Sequence, residues 1–300
     1  MSAPVIGFAG MTHLGLVSAV ATAARGFDVI GYDADERLVR RLDCCELPIL
    51  EPDLDRLLSA SRHRICFSAD ARDLARSDVV YIAADVPTDG EGDSDLAPIA
   101  TLVEEVSNHL RDAAVLVVLC QVSPGFTRSI ATVPHNRLFY QVETLVFGRA
   151  VERALNPERF IVGCAEPAKP LPARYRQTLE AFGCPILPMR YESAELAKIS
   201  INFCLVASIT VANVLAELSE SIGADWSEIV PALRVWTGAL APMLISILGL
   251  ALPAGISNAI FAPCSISRTA GIPMSVLYVH GSRTRVIVGS GAGGCSKSGS

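Results

Sequence analysis

Ile6-Gly-Phe-Ala-Gly-Met-Thr-His-Leu-Gly15 is the stretch on which the fold turns. An apolar run, Val5 to Ala9, reads as a short buried strand, and Leu14 to Ala24 reads as a helix. Between them lies a glycine-punctuated turn. In the pattern G-x-G-x-x-G the first glycine allows the tight turn, the second lets the backbone approach a pyrophosphate, and the third permits close helix–strand packing. Gly10 and Gly15 fill the first and third places, and Thr12 stands in the second. A second strand, Asp28 to Tyr32, leads to Asp33, 18 residues after Gly15. An acid there accepts ribose hydroxyls and repels a 2′-phosphate, which points to NAD rather than NADP. The candidate cofactor residues are therefore Gly10, Met11, Thr12, Gly15 and Asp33, with the helix N-terminus offering N–H groups to phosphate. The alternative is a doubly wound domain that uses the same turn only for packing.

Outward from this turn the alternation continues. Helical stretches are predicted over Glu36 to Leu42, Asp53 to Ser61, Ile99 to Leu110 and Pro172 to Phe182. Strands are predicted over Val79 to Ala84, Ala114 to Cys120, Arg159 to Cys164 and Cys184 to Leu187. This rhythm predicts an α/β fold, a Rossmann-like doubly wound parallel sheet with helices on both faces. A long helix from Glu192 to Ile222 follows, closed by Gly223 as its C-cap. Its apolar positions cover more than one face, so it is expected to be buried within the chain or against a second subunit. Asp225 to Leu233 starts another helix, and helical patterning ends after Arg234. The expected organisation is a cofactor domain at 1–188, a central helical, dimerising region at 189–234, and an anomalous, poorly ordered tail at 235–300.

Composition narrows the class. A net charge of -6 over 300 residues, without a basic run, argues against nucleic acid. Nine scattered cysteines without a C-x-x-C fit a reducing cytoplasm rather than a disulfide framework. Cys44, Cys66, Cys120, Cys164, Cys184 and Cys204 are read as small buried residues. His63, His109, His135 and His280 are spaced for no metal, and His13 is read as a surface residue at the turn rather than a phosphate contact.

Further stretches carry a resemblance. They are Gly31-Tyr-Asp-Ala-Asp35, Leu47-Pro-Ile-Leu-Glu-Pro52, Val86-Pro-Thr88 with Asp95-Leu96, and Gly125-Phe-Thr127. To these add Asn156-Pro-Glu-Arg-Phe-Ile-Val-Gly163 and Ser193-Ala-Glu-Leu-Ala-Lys198 with Asn202 and Asn213. In order and spacing they resemble the UDP-glucose/GDP-mannose dehydrogenase family, from Val5 to about Leu233. The resemblance implies NAD as cofactor, a UDP- or GDP-linked sugar as substrate, a homodimer through the central helix, and oxidation at the sugar C6 through a cysteine-bound intermediate. Lys198 and Asn202 match that family's active-site lysine and asparagine, and Glu143 its candidate acid/base glutamate. An ammonium and an amide one helical turn apart can together stabilise an oxyanion. Departures from the family pattern matter as much. Val86 replaces a threonine on the nicotinamide side, Gln121 the threonine of a Ser-Thr-Val segment, Val142 a proline, and Phe147 a second glutamate. Apolar groups thus stand where polar ones would serve hydride transfer and hydrolysis.

The tail is anomalous. No charged residue occurs from Trp236 to Ser267, and Pro242, Pro253, Pro263 and Asn258 punctuate this apolar run. Nothing after Arg234 resembles the family's cysteine-bearing half. Codons begun at the third base of the present ones turn Trp236-Thr237 into aspartate. They allow a family-like segment from Val235 and, from Gly249, a Gly-Gly motif with asparagine in the cysteine's place. The tail therefore reads as a frameshift product, with the substrate domain missing or replaced by an irregular tail; a divergent tail or a membrane segment is the alternative, the membrane reading being the weaker. Two functional readings stand: an NAD-dependent nucleotide-sugar 6-dehydrogenase, and a non-catalytic nucleotide-binding or dimerising remnant of that family.

Overall fold

The structure is a computed structural model that describes residues 2–87 and 94–236. The predictions for the tail beyond residue 236, and Thr88 of the Val86-Pro-Thr88 motif, lie outside the described residues.

The elements run β1 (Val5–Ala9), α1 (His13–Ala24), β2 (Asp28–Tyr32), α2 (Glu36–Asp43), α3 (Leu54–Ser61), β3 (Ile65–Ser68), β4 (Val79–Ile82) and α4 (Ala97–Ser107). They continue with β5 (Val115–Val118), α5 (Phe126–Ser129), β6 (Leu138–Gln141), α6 (Ala150–Leu155), β7 (Phe160–Cys164), α7 (Ala173–Glu180), β8 (Ile186–Arg190), α8 (Tyr191–Ile222) and α9 (Trp226–Trp236). Among the described residues, eight strands form one sheet in the order β3-β2-β1-β4-β5-β6-β7-β8. Every pairing is parallel except β6 with β7.

This is the doubly wound sheet the alternation predicts. Strands β4, β5 and β6 are buried at every position because helices cover both faces, and β4 and β5 accordingly read as unbroken apolar runs. Ile6, Phe8, Val29, Tyr81, Val117, Phe139 and Val162 face one apolar cluster with Leu16, Val20, Leu58 and Leu179. On the other face Tyr32 reaches Glu105 of α4 through its hydroxyl. Helix α1 buries nine of its twelve residues, and each fully buried Leu or Val among them contributes about 1.5–3 kcal/mol. Helix α2 opens on Asp35, whose side chain accepts the Arg37 N–H at 2.8 Å, a cap worth ~1 kcal/mol.

Two strands, β3 and β6, escaped the sequence reading. Strand β3 exposes Cys66 in its middle and β6 ends on Gln141, so neither reads as a clean apolar run. The cysteines divide: Cys120 and Cys164 are buried as expected, whereas Cys44, Cys66 and Cys204 are exposed. Small size lets cysteine fill a core but does not require it.

The described chain divides into two compact units, the first ending at Lys198 and the second beginning at Ile199. In the second unit α8 continues to Ile222 and stops at Gly223, which has φ +75°. The Ala224 N–H closes the end on the Ser219 carbonyl at 2.9 Å. Asp225 then caps α9 through the Ser227 N–H at 2.8 Å. Helix α8 is long and apolar enough to cross a membrane by length and composition only. Its first residues belong to the first unit, where Tyr191, Ala194 and Glu195 are fully buried.

Candidate cofactor and active site

The C-terminal ends of β1, β2, β4, β5 and β6 share one edge of the sheet. Chain order reverses between β1 and β4, the kind of crevice in which open α/β sheets take ligands. The turn after β1 sits in this crevice. Gly10 has φ +93°, and a Cβ there would lie 2.7 Å from that of Ala84. A Cβ on Gly15 would lie 1.8 Å from the Gly10 carbonyl oxygen, so α1 rests directly on the turn. Met11 is fully buried, with its sulfur packed against Gly31 of β2, and offers the edge only its backbone.

Thr12 takes the place of the second glycine without strain, because its φ is -74°. Its side chain turns toward the segment after β4. Oγ1 accepts the Asp85 N–H at 2.9 Å and approaches the Ala83 carbonyl at 3.4 Å. The hydroxyl thus ties the turn to the β4 segment.

Asp33 begins just past β2. One carboxylate oxygen accepts the Met11 N–H at 2.8 Å and the other the Asp35 N–H at 3.0 Å. A carboxylate has about four acceptor sites, so this aspartate is held at the turn and can still accept ribose hydroxyls. Val86, half-buried, follows β4 at the same edge, and Gln121, exposed, follows β5. The residues present fit a dinucleotide.

Lys198 and Glu143 come together as well. The Lys198 ammonium donates to the Glu143 backbone carbonyl at 2.9 Å and to its carboxylate at 3.1 Å. Both side chains are mostly buried, at 12% and 18% exposure. The Leu145 N–H fixes the other Glu143 oxygen. The strand reversal explains how Lys198 arrives there. Because β7 and β8 run against β6, β8 ends at the far edge of the sheet, and α8 climbs back. Tyr191 at its start donates to the Leu138 carbonyl at the beginning of β6, at 2.7 Å. One turn later Glu195 accepts the Gly125 and Thr127 N–H groups, at 2.6 and 2.9 Å. Lys198 then reaches the segment after β6. Asn202, four residues on, lies in the second unit.

Cys120 sits beside this edge, fully buried, with its Sγ donating to the Ile82 carbonyl at 3.2 Å. Burial pushes its thiol up to about 12, so it offers no thiolate nucleophile at neutral pH. A cavity of about 70 Å³ on the α1 face, lined by Phe8, Tyr81, Gln141 and Thr178 among others, is too small for a dinucleotide.

Two buried carboxylates were missed by sequence reading. Glu195 and Glu51 stand inside family-like motifs, but their partners are mainly backbone N–H groups of remote segments, which no spacing reveals. His13, expected at the surface, is nearly buried, with its side chain 11% exposed against Glu51.

Comparison with known proteins follows the same line. Residues 4–180 match the family model described as "UDP-glucose/GDP-mannose dehydrogenase family, NAD binding domain". An uncharacterized protein of Methanocaldococcus jannaschii is 30% identical over 229 residues, 72% of this chain and 25% of that protein. UDP-glucose 6-dehydrogenase TuaD of Bacillus subtilis is 29% identical over 231 residues, 73% of this chain and 50% of TuaD. The chain thus spans half or less of the length of these two relatives. A UDP-glucose dehydrogenase structure from Pyrobaculum islandicum superposes with a TM-score of 0.71 at 24% identity, over 86% of this chain and 67% of that one. At that identity it shows the shared fold.

Proposed function

Because the chain belongs to the UDP-glucose/GDP-mannose dehydrogenase family, we propose that it binds NAD⁺ on the turn after β1 and acts on the CH–OH group of a UDP- or GDP-linked sugar. The observation that carries this reading is the Lys198–Glu143 pair, built onto the same sheet edge as the turn and Asp33. NAD⁺, when bound, accepts the hydride. The chain's part is to hold the adenosine ribose on Asp33 and the diphosphate on the first turn of α1. Two of the three Lys198 N–H groups serve Glu143, and the third would meet the sugar oxygen as negative charge develops on it. Glu143 would take or return the proton at that oxygen. Asn202 would add an amide donor, and Gln121 and Val86 would flank the nicotinamide.

The second reading, a nucleotide-binding and dimerising module without turnover, is supported by Phe147, 73% exposed where the family pattern has an acid. Either reading includes a homodimer through α8, supported by Phe203, Val211, Val214 and Leu218, each more than half exposed.

Calorimetric titration with NAD⁺, then NADH absorbance with a panel of UDP- and GDP-sugars, tests the proposal. Lys198→Ala should lower any turnover by about 10²-fold or more, the scale for removing one donor to a developing oxyanion. Binding of NAD⁺ without turnover on any sugar would favour the module. Absence of NAD⁺ binding would end both readings.

A further inference from the structure

Glu51 lies outside every role assigned above. Its side chain is 1% exposed, and three donors converge on it. Oε2 accepts from His13 Nε2 at 3.1 Å and from the Gly148 N–H at 3.2 Å, while Oε1 accepts the Ala150 N–H at 2.8 Å. A carboxylate oxygen accepts, so the His13 tautomer with its hydrogen on Nε2 satisfies this contact.

The donors come from two places that matter. His13 is the first residue of α1, next to Thr12 in the turn. Gly148 ends the segment after β6, which carries Glu143 and Phe147, and Ala150 opens α6 directly behind it. The Phe147 ring packs on the His13 ring at 4.3 Å between centroids. One buried carboxylate therefore joins the cofactor turn to the segment that meets Lys198.

Packing alone does not call for an ion here. Removing a carboxylate from water costs several kcal/mol, and an apolar side chain could fill the same volume. The three donors answer that cost only if the turn and the segment keep their mutual distance.

We propose that Glu51 is a positioning residue that couples the dinucleotide turn to the Glu143 segment, so that seating a diphosphate on α1 also sets Glu143 against Lys198. The coupling stands on geometry within the first unit; its cofactor half rests on the NAD reading. Glutamine cannot replace it, because its amide NH₂ would confront either the Ala150 N–H or the Gly148 N–H. Aspartate is one methylene too short to reach both elements.

Full-length chain and its Glu51→Gln variant provide the test. Without any nucleotide, hydrogen exchange should quicken together in the first turn of α1 and around Gly148 to Ala150. A change confined to one of these places overturns the coupling. With nucleotide, loss of a charge-assisted bond should weaken NAD⁺ binding by about 10-fold or more while AMP changes by less than about 2-fold. AMP brings a single phosphate and no nicotinamide half, so it does not engage the segment after β6 that Glu51 ties to the turn. Equal loss for both nucleotides would mark a general destabilisation, and unchanged affinity for both would mark an idle contact; either result overturns the proposal. A parent chain that binds neither nucleotide would count against the cofactor reading, and the exchange experiment would still decide the coupling.

Discussion

Gly15→Ala puts the most pressure on the geometry of the turn. A Cβ at this position falls 1.8 Å from the Gly10 carbonyl oxygen and 3.0 Å from that of Ala83. Both obstacles are backbone, so no side chain can swing aside. Ordinary contact begins near 3.4 Å, and α1 must part from the turn by about 1.6 Å along that line. Overpacking costs about 1–3 kcal/mol when side chains can adjust; with rigid obstacles we take the upper end, about 3 kcal/mol. At about 2–4 °C per kcal/mol for a domain of this size, the melting temperature should fall by about 6–12 °C. The displaced first turn should also lose NAD⁺ affinity by at least about 10-fold, equivalent to about 1.4 kcal/mol. Circular dichroism melts and calorimetric titration of the variant read both quantities. A variant that melts within about 1 °C of the parent and binds NAD⁺ equally well would show that α1 does not rest on the turn.

Asp33→Asn should narrow the preference for NAD⁺ over NADP⁺, since the neutral amide no longer repels a 2′-phosphate; parallel titrations of the two cofactors check it, and an unchanged ratio would move the ribose elsewhere. Cys120, with burial holding its thiol up to about 12, stays protonated between pH 7 and 9. Peptide mass spectrometry after brief iodoacetamide treatment at about pH 8 should therefore find Cys44, Cys66 and Cys204 alkylated and Cys120 untouched. Labelling of Cys120 at the rate of Cys44 would reopen it as a nucleophile.

Much of this architecture was legible in residue order. Strands β1 and β2 and helix α1 matched their predicted limits to within a residue, because one apolar run, one glycine turn and one helical stripe follow each other cleanly. The reversal between β6 and β7 was not legible, since apolar patterning says that a strand is buried and nothing about its direction. At the site, the turn and Asp33 followed from local spacing. Lys198 and Glu143 were paired only by resemblance, because a sequence separation of 55 is bridged by tertiary packing. Glu51 and Glu195 were hidden for a related reason: their partners are main-chain groups, which every residue type except proline supplies equally.

The reversed pair β7–β8 also decides where the molecule can be altered without consequence for its chemistry. The connection from Cys164 to Ala173 leaves the sheet at the edge opposite the turn. Arg174, just past it, bonds the Ser2 carbonyl and approaches Asp78 at 3.7 Å, both at the starting edge of β1 and β4. Glu166 and Lys169 there pair with each other at 2.8 Å, each more than half exposed. A fluorophore, an epitope or a short peptide graft at Lys169 would sit a full strand length from Asp33 and Lys198. That makes this connection the natural attachment point for an immobilised or optically reported form of the protein.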